Sequence, residues 1–251
     1  VHAYKKKIDL ESLYTLEKKN HEQEQELNQE RLRFYTNITH ELRTPLTLIL
    51  GPLEDMQKDT SLPTKQAQKL SVIHQSALRL LNLINQILEF RKTETQNKKL
   101  CVCKGNLTPL IHEIGFKYKE LNQKPKIDFR IQTEKEEMLL FFDKEIITII
   151  LDNLISNAIK YTEQGRVTLS LCQTTRNEVS YTEIKVSDTG YGISAEALPH
   201  IFDRYYQESG KHQASGTGIG LALVRNLVEL HEGDIRVEST PNEGSTFYIS
   251  L

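Results

Sequence analysis

Turn residues are distributed very unevenly along this chain. Between Ile8 and Arg91 there is one glycine, Gly51, and only Pro45, Pro52 and Pro63 interrupt, whereas ten of the twelve glycines lie after residue 110. Glycine and proline mark turns and helix ends. The chain is thereby confined to a helical N-terminal part followed by a mixed α/β part, and its 251 residues suffice for two modest domains with separate cores.

Composition narrows the partners. Thirty-two basic and 34 acidic residues leave a net charge of −2, so no duplex nucleic acid or anionic membrane is indicated as the dominant electrostatic partner. No stretch approaches the ~20 consecutive apolar residues of a membrane span. Cys101, Cys103 and Cys172 form no CxxC pair and have no histidine at zinc spacing, which argues against a disulfide framework or structural zinc and for a reducing cytosol. The start, Val1-His2-Ala3, carries no signal core and no initiator Met. A cytoplasmic fragment is expected, belonging to a longer protein whose missing N-terminal segment makes any membrane contact.

Residues 8–33, with Leu10, Leu13, Leu16, Leu27 and Leu32 among Glu, Gln and Lys, read as a polar helix with a thin apolar stripe that needs a partner. Tyr35, Ile38, Leu42, Leu46, Ile49, Leu53 and Met56 then recur at spacings of three and four, as do Leu70, Ile73, Ala77, Leu80, Ile84 and Ile87 over roughly 64–92. A turn at Asp59–Pro63 joins them into an αα-hairpin about 40 Å long at 1.5 Å per residue. Two stripes this wide cannot both be buried by one hairpin, so a homodimeric four-helix bundle is expected. Beyond residue 99, β-rich runs (100–104, 126–132, 138–142, 166–173, 181–187, 235–239, 245–251) alternate with helices near 106–121, 143–161 and 218–231. Short turns make the last strands antiparallel neighbours, and the expectation is an α+β sandwich with helices on one face of a mixed sheet. The resulting divisions are 1–33, 34–98 and 99–251.

Chemistry is suggested at three places. His40 lies two positions after Ile38, about 200° around the helix, and points away from the apolar stripe. Alone it is an ordinary surface histidine. Glu41 beside it can accept the Nδ1 proton and leave Nε2 as a nucleophile, and Pro45 inside the same helix, at ~3 kcal/mol or more, places a bend one turn away. Asn153, Asn157 and Lys160, at i, i+4 and i+7, put two amides and an ammonium on one helical face suited to a hydrated Mg²⁺ carrying phosphates, or to plain solvent. Two glycine clusters complete the set. Asp188-Thr189-Gly190-Tyr191-Gly192-Ile193 follows a strand, and its Asp188 could accept a base's exocyclic amine. Gly216-Thr217-Gly218-Ile219-Gly220-Leu221 precedes a helix whose N–H groups favour phosphate. Its G-x-G-x-G spacing fits neither a Rossmann turn nor a Walker loop. Between them, Phe202-Asp203-Arg204-Tyr205-Tyr206 leads into a polar loop over 207–215 that fits a lid, with Arg204 and Lys211 able to reach phosphates.

Taken in order, Phe34 to Leu46 resembles the H-box of sensor histidine kinases, 152–161 their N-box, Asp188 to Gly192 the G1 box, Phe202 to Tyr205 the F-box and Gly216 to Leu221 the G2 box. The region before His40 is similar to hybrid two-component sensors of the Bacteroidetes type. The resemblance implies a dimerisation and phosphotransfer hairpin joined to an ATP-binding domain of the gyrase, chaperone and histidine kinase type. It implies autophosphorylation of His40 and transfer to a response-regulator receiver domain, in trans or in the same longer polypeptide. It further implies Asn157 as Mg²⁺ ligand, Asn153 and Lys160 on phosphates, Tyr161 flanking adenine, Asp188 reading its amino group, Glu41 as general base, and Thr44 orienting water for regulator dephosphorylation. Tyr205 stands where the family more often has Phe. Localisation is expected to be that of the cytoplasmic part of an inner-membrane sensor. A clamp-type ATPase and a degenerate signalling scaffold are the alternatives.

Overall fold

The computed structural model describes residues 18–19, 37–39, 41–57, 63–94, 100–122, 124–176, 178–208 and 218–251. His40, Gly216, Thr217, the hairpin turn, most of the leading helix and the lid from residue 209 on therefore lie outside the described residues. The chain divides into two compact units, Val1–Asn97 and Lys98–Leu251.

The first unit is the helical hairpin. Helix α1 covers residues 41–57 and α2 covers Thr64–Glu94. Residues 37–39 are also helical, and α1 runs through the exposed Pro45. Two residues before that proline, the Arg43 guanidinium donates to Asn85 Oδ1 at 2.7 Å and ties α1 to α2. Leu46, Leu50 and Leu53 of α1 pack with Leu70, Ala77, Ile84 and the partly buried Leu81 of α2. The wide stripe splits here: Leu42, Ile49 and Met56 on α1, and Ile73 and Leu80 on α2, stay about half exposed. Each set repeats every seven residues, so it forms a second seam beside the buried one.

The second unit runs β1(Cys103–Asn106), α3(Leu107–Leu121), β2(Ile127–Thr133), β3(Leu139–Phe142), α4(Lys144–Tyr161), β4(Gly165–Arg176), β5(Val179–Asp188), a short 3₁₀ turn at Leu198–His200, α5(Gly220–Leu230), β6(Asp234–Thr240) and β7(Gly244–Ser250). Five strands form one sheet in the order β2-β4-β5-β7-β6; β2 and β4 are parallel and the other neighbours antiparallel. The period-two pattern sets its register: Phe129 lies opposite Val167, Leu171 opposite Ile184, and Ile184 opposite Ile249. These residues are buried, as are Leu107 and Ile111 of α3, Ile147, Ile150, Leu151 and Leu154 of α4, and Leu223 and Leu227 of α5. The intervening positions, among them Asp128, Lys185, Arg236 and Tyr248, carry polar groups on the other face.

Two strands depart from the sequence expectation. The run expected at 100–104 begins at Cys103, and it pairs antiparallel with β3 in a separate two-stranded sheet. Asn106 decides this. As the cap of α3 its Oδ1 accepts from Thr108 N and also from Met138 N, at 3.1 and 2.9 Å, which fastens the end of β1 to the start of β3.

Helix α4 is held at its start by Asp143, 5% exposed. Its Oδ1 accepts from Glu145 N and Ile146 N, and its Oδ2 from Cys101 N. Removing a cap of this kind costs about 1–2 kcal/mol, so Asp143→Ala should lower the urea midpoint of the second unit accordingly, followed by far-UV circular dichroism.

Candidate functional site

The site is built where the end of α4 meets the turn after β5. Asn153, Asn157 and Lys160 share one side of α4 but differ in burial: Asn153 is buried, Asn157 and Lys160 are half-buried. Asn153 donates from Nδ2 to Ile149 O at 2.8 Å, and a side-chain carbon on Gly220 would stand 2.9 Å from its Oδ1. Asn153 therefore lies against the first residue of α5, beside the second glycine cluster. Lys160 Nζ donates to the Tyr161 hydroxyl at 3.1 Å and sits 4.6 Å from that ring's centre.

Asp188 closes β5. Its Oδ1 accepts from Gly190 N at 2.9 Å. Burial pushes its carboxyl above the usual aspartate range, partly offset by hydrogen bonds from the Gly190 and Ser245 backbone. The glycines here permit close approach of main chain to main chain. A Cβ on Gly190 would lie 2.3 Å from Tyr161 O, the same carbonyl that accepts from Tyr191 N at 3.2 Å. Gly192, at φ +67°, would place one 2.0 Å from Thr240 O. Ile193 N donates to Ser239 Oγ at 2.8 Å, and Ser239 donates to Gly244 O.

The F-box segment and the start of α5 close on each other. Tyr205, at φ 62°, donates from its N–H to Gly218 O at 2.9 Å, and Gly218, at φ +69°, passes within 2.5 Å of Tyr205 C as measured from an added Cβ. Phe202 packs edge-on to Phe247, centroids 6.5 Å apart. Arg204 is exposed, and Leu221 is half-buried in the first turn of α5.

The structure thus sets Asp188 and the Gly190–Tyr191 turn against Tyr161 at the end of α4, carries Asn153, Asn157 and Lys160 along that helix, holds Gly192 against Thr240 and Ile193 against Ser239, and places Gly218 beside Tyr205 and Gly220 beside Asn153. Glu41 and Thr44 are exposed on α1, in the other unit. Sequence reading missed Ser239 and gave Thr189 no role of its own within the glycine cluster. Thr189 Oγ1 accepts from Arg166 N at 2.9 Å and pins the glycine turn to the start of β4. Lone hydroxyl residues carry no periodic or spacing signal. A helix end carrying an aromatic ring and an ammonium, next to a turn that holds one partly buried carboxylate, presents groups of the kinds that a nucleotide's base and phosphates pair with. Gly190, Gly192 and Gly218 lack the side chain that would collide with Tyr161 O, Thr240 O and Tyr205 C, so these turns close against neighbouring backbone.

Residues 30–96 match the His Kinase A (phospho-acceptor) domain, and residues 142–251 match the histidine kinase-, DNA gyrase B- and HSP90-like ATPase family. Histidine kinase P4 of Formosa agariphila is 36% identical over 253 residues, covering 98% of this chain and 18% of that protein. The autoinducer 2 sensor kinase/phosphatase LuxQ of Vibrio vulnificus is 33% identical over 251 residues, covering 97% of this chain and 29% of that protein. The chain therefore spans less than a third of the length of either relative. Full-length ShkA, solved with AMPPNP, shares the fold with a TM-score of 0.69 at 24% identity, over 86% of this chain and 45% of that one. Among the described residues no helix is long and apolar enough to cross a membrane.

Gly192→Ala forces a side chain into positive φ against the Thr240 carbonyl, and strain of this kind costs about 1–3 kcal/mol. The urea midpoint of the second unit should fall accordingly. Gly51→Ala meets nothing within 4 Å in α1 and should leave that transition unchanged.

Proposed function

We propose that this chain, which its two matched regions make a member of the sensor histidine kinase family, moves the γ-phosphoryl group of ATP to His40 and on to an aspartate of a receiver domain. The observation that carries the reading is the backbone approach of Gly190 and Tyr191 to Tyr161 O, which ties the turn holding Asp188 to the end of α4, the helix that carries Asn157 and Lys160.

In this reading Asp188 accepts the adenine amino group, Tyr161 lies against the base, and Asn153, Lys160 and Arg204 approach the phosphates with the N–H groups of Gly216 to Leu221. Gly190, Gly192 and Ile193 shape the base pocket, and Phe202 supports its wall. Asn157 holds Mg²⁺, which when bound offsets charge on the transferring phosphoryl group. His40 Nε2 attacks the γ-phosphorus, the bond to the β-phosphate oxygen breaks, and ADP leaves with that electron pair. Glu41 takes the proton from Nδ1. Thr44, four residues on, serves the reverse duty of orienting water against a phosphorylated regulator.

The half-exposed seam of Leu42, Ile49, Met56, Ile73 and Leu80 supports a homodimer through the hairpin, because apolar side chains repeating every seven residues bury best against another helix pair. Residues 1–33, most of which lie outside the described residues, deliver the signal in this reading. The length of the relatives supports a larger sensor, anchored at the inner membrane by a segment other than these residues, with this part in the cytoplasm.

Incubation with γ-labelled ATP and Mg²⁺ should give an acid-labile, alkali-stable label on the wild type that His40→Gln abolishes. ATP turnover unchanged by that substitution would point to a clamp-type ATPase, and no nucleotide binding at all to a scaffold. A second expectation concerns pH. Since burial raises the Asp188 carboxyl, its protonation begins above the ordinary aspartate value of about 3.9. ATP affinity of the wild type, measured by calorimetry, should therefore decline as pH falls toward that range, while Asp188→Asn binds about tenfold or more weakly with no such decline.

A further inference from the structure

An α-helix leaves its last four carbonyls without intrahelical partners, and in α4 each of them is met by an identifiable donor. Ala158 O accepts from Thr162 Oγ1 at 2.7 Å, and Tyr161 O from Tyr191 N at 3.2 Å. The ammonium of Lys124 supplies the rest: Nζ donates to Ile159 O at 2.7 Å, to Lys160 O at 3.4 Å and to Thr162 O, just past the helix, at 2.9 Å. Three N–H donors meet three carbonyls, and the positive charge lies at the negative end of the helix.

Lys124 does not reach there from a slack loop. Asn122, which ends α3, accepts from Lys124 N at 3.0 Å through Oδ1 and donates from Nδ2 to Ile127 O at 3.1 Å. Ile127 N in turn donates to Lys124 O at 3.0 Å. Pro125 follows directly and restricts the backbone of Lys124. The loop between α3 and β2 is thus a braced support for one ammonium group.

We infer that Lys124 is a positioning residue of the nucleotide site. It fixes the last turn of α4, and through Tyr161 O the Gly190–Tyr191 backbone, so that Lys160, Tyr161 and Asp188 stand ready for an adenine nucleotide. The inference rests on the kinase reading above. Lys124 touches neither base nor phosphate in this account, so its removal should loosen the bound state without altering the transfer step.

The test uses the full chain. Lys124→Met keeps the length of the side chain and removes its donors. It should weaken ATP binding about tenfold, with the autophosphorylation rate at saturating ATP within about twofold of wild type. Its preference for ATP over GTP should shrink, because Asp188 loses its fixed place relative to Tyr161. Lys124→Arg, which can still donate to the three carbonyls, should return affinity to within about threefold. Asn122→Ala keeps the ammonium but frees its loop, and serves as the gentler variant if Lys124→Met does not fold; about a threefold loss of ATP affinity is expected. A lowered melting temperature with wild-type affinity and base preference would overturn the inference and leave Lys124 a purely structural cap. Absence of ATP binding by the wild type itself would instead strike the kinase reading and remove the inference with it.

Discussion

Helix α4 cannot satisfy its own C-terminal carbonyls, and the second unit is arranged around that constraint. Thr162, Lys124 and the Tyr191 N–H meet them. The last of these donors belongs to the turn that also fixes Asp188. Because Gly190 has no side chain, the turn can approach to where a Cβ would lie 2.3 Å from the Tyr161 carbonyl. A structural need at one helix end thereby becomes the mechanism that joins α4 to the end of β5. The last turn of α4, with Lys160 and Tyr161, and the carboxylate of Asp188 are thereby held by one shared backbone contact.

The two units meet their apolar surface differently. In the second, strand alternation places Val167, Leu169, Leu171, Ile184, Val186, Phe247 and Ile249 on one buried face, and three helices cover it. In the first, one hairpin buries Leu46, Leu50, Leu53, Leu70, Ala77 and Ile84 and leaves the adjoining heptad positions half in water. Burial of apolar area is worth about 25 cal/mol per Å², so that open seam is a standing drive toward association.

Much of this was legible in the residues. Periodicities of 3.6 and 2 located the hairpin and the β-rich half, and Asp143 and Asn106 immediately precede α4 and α3, as cap chemistry requires. What stayed hidden depends on tertiary context. Periodicity assigns Leu42 and Leu46 to one stripe, yet Leu46 is buried against α2 and Leu42 stays half exposed, because a stripe wide enough for two seams does not say which seam is filled. The sheet of β1 and β3 is fastened by one Asn106 side chain that ends β1 and accepts from Thr108 N in α3 and from Met138 N at the start of β3. The site motifs are visible as short strings, but Asn153 is buried against Gly220, and Ser239 and Lys124, which hold the glycine turn and the end of α4, are single residues with no pattern around them. His40, Gly216 and Thr217 remain sequence-based assignments.

The central claim is that the end of α4 and the turn after β5 form the nucleotide cradle. Backbone and side-chain amide resonances of the full chain, followed while a non-hydrolysable ATP analogue and Mg²⁺ are added, test it most directly. The largest shifts are expected at Gly190, Tyr191, Gly192 and the Asn157 side-chain amide, with the polar sheet face at Lys185 and Arg236 undisturbed. Perturbations centred on that sheet face, with the glycine turn silent, would contradict the account.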